Sequence, residues 1–335
     1  AKFYTTNGLG LNEDDGREVN SLMFNPDGDS FSLLGQAYVS YKIANTQFKV
    51  GRQQIDTPLA GSDDIRMIPN LFEAYLLVNT DVKDTTLIAA HVTKMSGMPD
   101  SSANGSKFES MSDAAGLGGI VGNESVTAVA AIYAGIPNTT IQVWDYYANE
   151  MLNAIYADIV YENKATEDLT LTLAGQYYTY KEQGKVKDAG AKVNYNVMGA
   201  KIALASEKSG LTGTVAYNQV SDDPTSTPVF GAWGGYPEYA FAEEFWMYSM
   251  GAEMFDGSVV KAGLDFDLGT VGFADRTLSA AYVGFDGRTV DVDVYDVAYT
   301  CEAFKNLNMK VAYEYQEYSN DNENSLIKVV GKYSF

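Results

Sequence analysis

The feature that most limits what this chain can fold into is a two-residue alternation of apolar and polar side chains that returns along its length. In residues 32–43, SLLGQAYVSYKI, Leu33, Ala37, Val39, Tyr41 and Ile43 fall on one face of a strand, with Gln36, Tyr38, Ser40 and Lys42 on the other. Residues 257–268 set Val260, Ala262, Leu264, Phe266 and Leu268 against Lys261, Asp265 and Asp267. Residues 308–316 set Met309, Val311, Tyr313 and Tyr315 against Lys310, Glu314 and Gln316. The pattern recurs at 46–54, 71–79, 84–94, 124–134, 139–148, 151–162, 168–181, 194–206, 211–219, 276–285, 291–302 and 324–335. With a partial strand at 1–6 there are about sixteen such segments of ~8 to 14 residues, the reach of a tilted strand across a bilayer. No stretch approaches the roughly 18 apolar residues of a membrane-spanning helix.

The connections alternate in length. Short ones fall at 44–45, 81–83, 135–138, 163–167, 207–210, 269–275 and 303–307. Between them lie longer ones at 7–31, 55–70, 95–123, 182–193 and 220–256, with shorter members of the same set near 149–150, 286–290 and 319–323. A meander with its tight turns at one end and its long loops at the other predicts an all-β fold. It is a transmembrane, antiparallel up-and-down β-barrel of 16 to 18 strands, with short periplasmic turns and long extracellular loops. Two stacked sheets are the competing architecture, since alternation alone fits both. The small residues on the apolar faces favour the barrel, as do the aromatic residues near segment ends, Tyr41, Tyr161, Tyr177, Tyr299, Tyr315, Tyr333 and Phe335. Residues 1–335 read as one barrel domain, and Phe3 to Thr6 reads as the tail of a strand that begins upstream of Ala1.

Composition removes most chemistry. Asp and Glu total 44 against 23 Lys and Arg, a formal charge of −21, a poor match for nucleic acid. The lone cysteine, Cys301, excludes an internal disulfide, a Cys-based zinc site and a CxxC pair. The lone histidine, His91, excludes two-histidine metal motifs, and no GxSxG elbow accompanies it. The chain reads as a non-enzyme without a cofactor. His91 is expected to be a lumen-facing or buried structural residue, and Cys301 a lipid-facing or packed thiol.

Two stretches carry a resemblance. The last strand, Ile327-Lys328-Val329-Val330-Gly331-Lys332-Tyr333-Ser334-Phe335, ends on an aromatic carboxyl terminus and resembles the assembly signal of bacterial outer-membrane barrels, with Tyr333 and Phe335 as its aromatic positions. Residues 50–74, VGRQQIDTPLAGSDDIRMIPNLFEA, resemble the constriction-loop region of the OprD-like porins and the Campylobacter-type major outer membrane proteins. The resemblance implies an 18-stranded barrel in the bacterial outer membrane. It also implies a homotrimer in the Campylobacter-type branch and passive passage of small hydrophilic solutes. With 18 strands, the two missing ones precede Ala1. The chain departs from the OprD pattern in its arginines, of which it has only Arg17, Arg52, Arg66, Arg276 and Arg288.

The 55–70 loop is the candidate constriction, with Arg52, Asp56, Asp63, Asp64, Arg66 and Glu73 as opposed charges across a narrow aqueous gap. The bland alternative is a solvated loop held by its own Arg-Asp pairs. The wet faces supply a charged pore wall: Lys42, Lys49, Asp158, Lys201, Lys261, Asp265, Asp267, Asp296, Glu314, Lys328 and Lys332. Acid excess predicts a preference for cations. The acid-rich stretches 12–16 and 25–29 offer a loosely bound Ca2+ bridging to lipopolysaccharide, or simply hydrated loops. The aromatic residues of 220–256, among them Trp233 and Trp246, suggest a packed plug, a lid or a subunit contact. The leading expectation is a diffusion porin. The alternatives are a substrate-selective channel and a surface adhesin or antigen on a barrel scaffold.

Overall fold

The computed structural model describes residues 1–8, 29–62, 68–97, 105–221, 225–240 and 253–334. They form one antiparallel sheet of seventeen strands. The first half comprises β1 (Lys2–Thr5), β2 (Ser32–Ile43), β3 (Thr46–Gln53), β4 (Leu71–Asn79), β5 (Thr85–Ser96), β6 (Glu109–Ser110), β7 (Val126–Ile136) and β8 (Thr139–Ala148). The second comprises β9 (Leu152–Lys164), β10 (Leu169–Glu182), β11 (Asn194–Ser206), β12 (Leu211–Val220), β13 (Ser258–Asp267), β14 (Arg276–Asp286), β15 (Asp291–Phe304), β16 (Leu307–Tyr318) and β17 (Glu323–Tyr333). Each strand pairs with the next in sequence, except that the two-residue β6 lies against the upper end of β5 while β7 takes the rest of that edge. The sequence reading expects the first edge to meet the last. Among the described residues β17 pairs only with β16, and β1 with β2, so the ladder has two edges.

The sheet is curled, and its inner face is marked by packing. Phe72 and Ala74 on β4, Tyr146 on β8, Tyr195 on β11 and Val294 on β15 belong to a single buried cluster. These side chains line one face of the sheet continuously from β4 to β15. The opposite face carries Val129, Val143, Ile159, Leu173, Val215, Leu264, Val297 and Val311 with about half their surface open. A continuous apolar belt of that extent is the outward face of a barrel in lipid. Tyr282, Tyr295 and Tyr315 are directly opposite one another on three neighbouring strands and pack as tilted rings with centroids 5.5 and 6.3 Å apart on this belt.

Tight turns close one end of the meander. Their left-handed residues are Ala44, Asp84, Asn138, Asp275 and Asn306, mostly the Asn and Asp that tolerate positive φ. At the Asn45 turn Asp81 accepts from Asn45 and Asn79, which holds its carboxyl below the usual carboxylate range. The stretch read as loop at 95–123 contains β6 and two single-turn helices, α1 (Met111–Ala114) and α2 (Gly118–Val121). Ser110 caps α1 by accepting from the Asp113 backbone N–H. The 182–193 connection likewise holds a short helix, α3 (Gly184–Asp188). Such single turns have too short a period for sequence alternation to reveal them.

The face assignment has a direct consequence. Val297→Arg, in the middle of the outward belt, is expected to lower folding stability by about 2–4 kcal/mol, while Val297→Leu leaves it nearly unchanged. Reversible urea unfolding in phospholipid vesicles measures both. An arginine variant as stable as the parent would mean that this face does not meet lipid.

Candidate constriction site

Three connecting segments turn into the curled sheet and meet there. In the first, residues 54–62, Thr57 and Ala60 close a tight turn, the Thr57 N–H donating to the Ala60 carbonyl at 2.8 Å. That turn carries Ile55, Leu59 and Ala60 into the inner cluster, and the Leu59 N–H donates to Tyr146 Oη at 3.3 Å. The second is α1, which contributes Met111 and Ala114. The third, residues 225–240, joins both: Trp233 Nε1 donates to the Met111 carbonyl at 3.0 Å, and the Gly61 N–H to the Trp233 carbonyl at 3.1 Å. Gly235 is required at this crossing, because a Cβ there would lie 2.3 Å from the backbone of Leu59.

The third segment is also fixed to the wall. Val229 N–H donates to Tyr195 Oη at 3.0 Å, and Ala240 N–H to Asn218 Oδ1 at 2.7 Å. Phe230 and Phe255 pack on the Tyr195 ring with centroids at 4.7 and 5.1 Å. Tyr178 donates its hydroxyl to the Glu238 carboxylate, and burial pushes the Glu238 carboxyl up to about 7. Inward-facing Trp144, Tyr146, Tyr156, Tyr178, Tyr180 and Tyr195 therefore form an aromatic seat for the inserted segments.

Beside this seat runs a polar strip. Asp158 on β9 accepts from Gln142 Nε2 and from Tyr156 Oη through Oδ2, both at 2.8 Å. Trp144 Nε1 in turn donates to Gln142 Oε1 at 2.8 Å. Asp158 lies directly opposite Gln176, and both side chains are buried. Asp158 Oδ1 and Gln176 Nε2 have no hydrogen-bond partner among the described residues. Lys201 extends from β11 towards the Tyr239 ring, 4.9 Å from its centroid.

The family model for the OprD outer membrane porins matches residues 4–325, nearly the whole chain. The chain belongs to the OprD family. Solved structures agree on the fold. Pseudomonas aeruginosa OccK9 (OpdG) aligns with a TM-score of 0.77 at 16% identity, covering 96% of this chain and 83% of its own. Pseudomonas aeruginosa OpdK aligns at 0.73 with 14% identity over 94% and 83%, and OccK3 (OpdO) from the same organism at 0.73 with 16% identity over 91% and 82%. OpdK has also been solved with vanillate. No curated protein matches in sequence. The chain is thus an outer-membrane β-barrel of a family of porin channels rather than enzymes.

Within this OprD-family barrel the sequence-derived constriction set separates. Asp63, Asp64 and Arg66 lie outside the described residues. Asp56 fastens its own turn by accepting from the Ser62 N–H at 2.9 Å. Arg52 and Glu73 are directly opposite on β3 and β4, on the face of Val50 and Tyr75, whereas Gly51 and Ala74 share the inner face. Their 3.5 Å ion pair is therefore on the outer side of the wall, where Arg52 also lies over Phe108 at 4.2 Å. The sequence placed them in the pore; alternation along β3 and β4 turns them out. His91 is corrected likewise. It is exposed on the outer face opposite Tyr75 and Thr127, with Nδ1 2.9 Å from Thr127 Oγ1.

The wall positions are distributed along the inner face. Lys42 and Lys49 share the Tyr38 face of β2 and β3, with Lys49 4.1 Å from the Tyr38 ring. Lys201 and Lys261 are each opposite buried Ala216, and Asp265 is opposite Thr212. Asp296 and Glu314 are directly opposite and both buried. Lys328 is opposite buried Ala312, and Lys332 is opposite Asn308. Asp267 is a turn residue: its Oδ1 accepts from the Gly269 N–H at 2.8 Å. Tyr333 falls on the outward face with Ile327 and Val329, and Phe335 lies outside the described residues. Residues 12–16 and 25–28 of the acid-rich stretches also lie outside them, and no cluster of metal-ligating side chains occurs among the described residues.

The aromatic seat was missed in the sequence, although a signal exists. In LTLTLAGQYYTYK the tyrosines at 178 and 180 share the face of Gln176, against Leu173 and Tyr177. Tyrosines on both faces of one strand imply that the wet side is itself partly covered.

Proposed function

We propose that this OprD-family porin passes small hydrophilic solutes passively and selectively, with a preference for cations, along the part of the lumen that the inserted segments leave beside the Asp158 strip. One observation carries the reading. Asp158 sets a buried carboxylate on the inner wall, fixed by Gln142 and Tyr156 through one oxygen, while the other, also buried, has no hydrogen-bond partner among the described residues. A fixed carboxylate in a narrow, weakly screened passage favours cations and hydrogen-bond donors. The formal charge of −21 adds a field of the same sign. In planar bilayers under a KCl gradient, the reversal potential is expected on the potassium side and moves towards zero in Asp158→Asn. Chloride preference in the parent, or an Asp158→Asn variant with unchanged potential, overturns the reading.

A second reading, selective passage of aromatic carboxylates, is favoured by Lys201 held against the Tyr239 ring and by the relative solved with vanillate. An ammonium beside an aromatic face suits a planar acid. Vanillate reducing potassium current at millimolar concentration, with the effect lost in Lys201→Gln, would favour it over the first.

A further inference from the structure

On the outer side of the wall, where β6 replaces β7 as the neighbour of β5, a crevice of about 470 Å³ opens beside His91, Lys94, Lys107 and Phe108. Its depth in the membrane follows from the outward residues of the adjoining strands. One row holds Ala131, Val143, Ala157 and Tyr177. Two rows towards the long loops, the outward positions are Thr127, Tyr147, Asn153 and Lys181. The crevice is level with the second row, since His91 is directly opposite Thr127. It therefore opens where the lipid belt gives way to polar side chains at the outer surface of the membrane.

The charges around it are unequally engaged. Glu109 pairs with Lys107 at 2.8 Å, Asp113 accepts from Ser110 Oγ at 2.6 Å, and Glu124 accepts from Asn149 Nδ2 at 2.6 Å. Glu109 is thus neutralised by Lys107, Glu124 also has Lys185 3.9 Å away, and Asp113 is held by a neutral donor that leaves its charge. The ammonium of Lys94 has no ion-pair or hydrogen-bond partner among the described residues, and His91 uses only one ring nitrogen. Phe108 adds an apolar wall. We propose that this crevice binds the phosphate-bearing headgroup of an outer-leaflet glycolipid, with Lys94 and Lys107 as phosphate ligands and Phe108 against the sugar. The unengaged Lys94 ammonium, the depth of the crevice and the Phe108 wall are what such a headgroup would use, with Lys107 exchanging Glu109 for phosphate.

The test uses the full chain in detergent micelles, titrated with bis-phosphorylated lipid A and read by native mass spectrometry. One lipid A per chain is expected. Lys94→Gln, which has no internal partner to lose, is expected to weaken binding about tenfold, the loss of one charge-assisted hydrogen bond. Lys107→Gln should add to this, while Lys305→Gln, in a tight turn at the other end, should change nothing. Unaltered single-channel conductance of the Lys94 variant shows that its barrel is intact. Equal affinity of parent and Lys94→Gln/Lys107→Gln protein overturns the proposal. So does phosphatidylglycerol binding as tightly as lipid A.

Discussion

Replacing residues 225–240 with a short Gly-Ser link should raise single-channel conductance several-fold. These residues fill the barrel from one side, stitched to β11 through Tyr195, to β12 through Asn218 and to residues 54–62 and α1 through Trp233. None of these contacts is part of a strand pairing, so removing the segment leaves the sheet ladder whole. Trp233→Ala isolates the central anchor. It deletes a ring that is 2% exposed, together with the hydrogen bond to Met111. Losing a buried aromatic of that size costs about 3–5 kcal/mol, comparable to what holds one loop against a wall. The point variant is therefore expected to flicker between parental and enlarged conductance in planar bilayers. Parental conductance in both proteins would mean that the ion path does not run past this segment. The Val297→Arg comparison guards the interpretation, because it perturbs the barrel without touching its contents.

What the sequence reveals and conceals follows from the range of the interactions. Alternation is a property of neighbouring residues. It marks Val260, Leu264, Val297 and Val311 as outward and Lys261, Asp296 and Glu314 as inward, and the pairings place them so. The tight turns are legible for the same reason, since Asn138, Asp275 and Asn306 act within their own few residues. The meeting of the inserted segments is not local. Tyr146 meets Leu59, and Trp233 meets Met111, at separations of 87 and 122 residues. Nothing in the spacing of those residues records these contacts. Arg52 and Glu73 illustrate the opposite error. They stand beside the inserted loop in sequence and carry opposed charges, yet strand alternation directs them away from the lumen. Proximity in the chain suggested a function that the pleat forbids.

The conductance should also rise with pH between about 4.5 and about 7 and level off above, with Glu238 as the responsible group. In the packed segment burial holds the Glu238 carboxyl up to about 7, the hydroxyl of Tyr178 offsetting part of that rise, while a detached segment returns it to the ordinary carboxylate value of 4.5. Below about 4.5 the group is neutral in both states, and packing is strongest. As pH rises, the detached segment loses its proton first, so the detached state gains stability until the packed carboxyl also ionises. Above that point the penalty is constant. A shift of this size corresponds to a change on the order of 3 kcal/mol across the window, enough to turn a rarely detached segment into a frequently detached one. The hydroxyl of Tyr178 donates to this carboxylate. Glu238→Gln keeps an acceptor for Tyr178 but cannot ionise. Its conductance should be flat from pH 4.5 to 8 at the low value the parent shows in acid. A variant with the parental pH profile would assign the titration to another group.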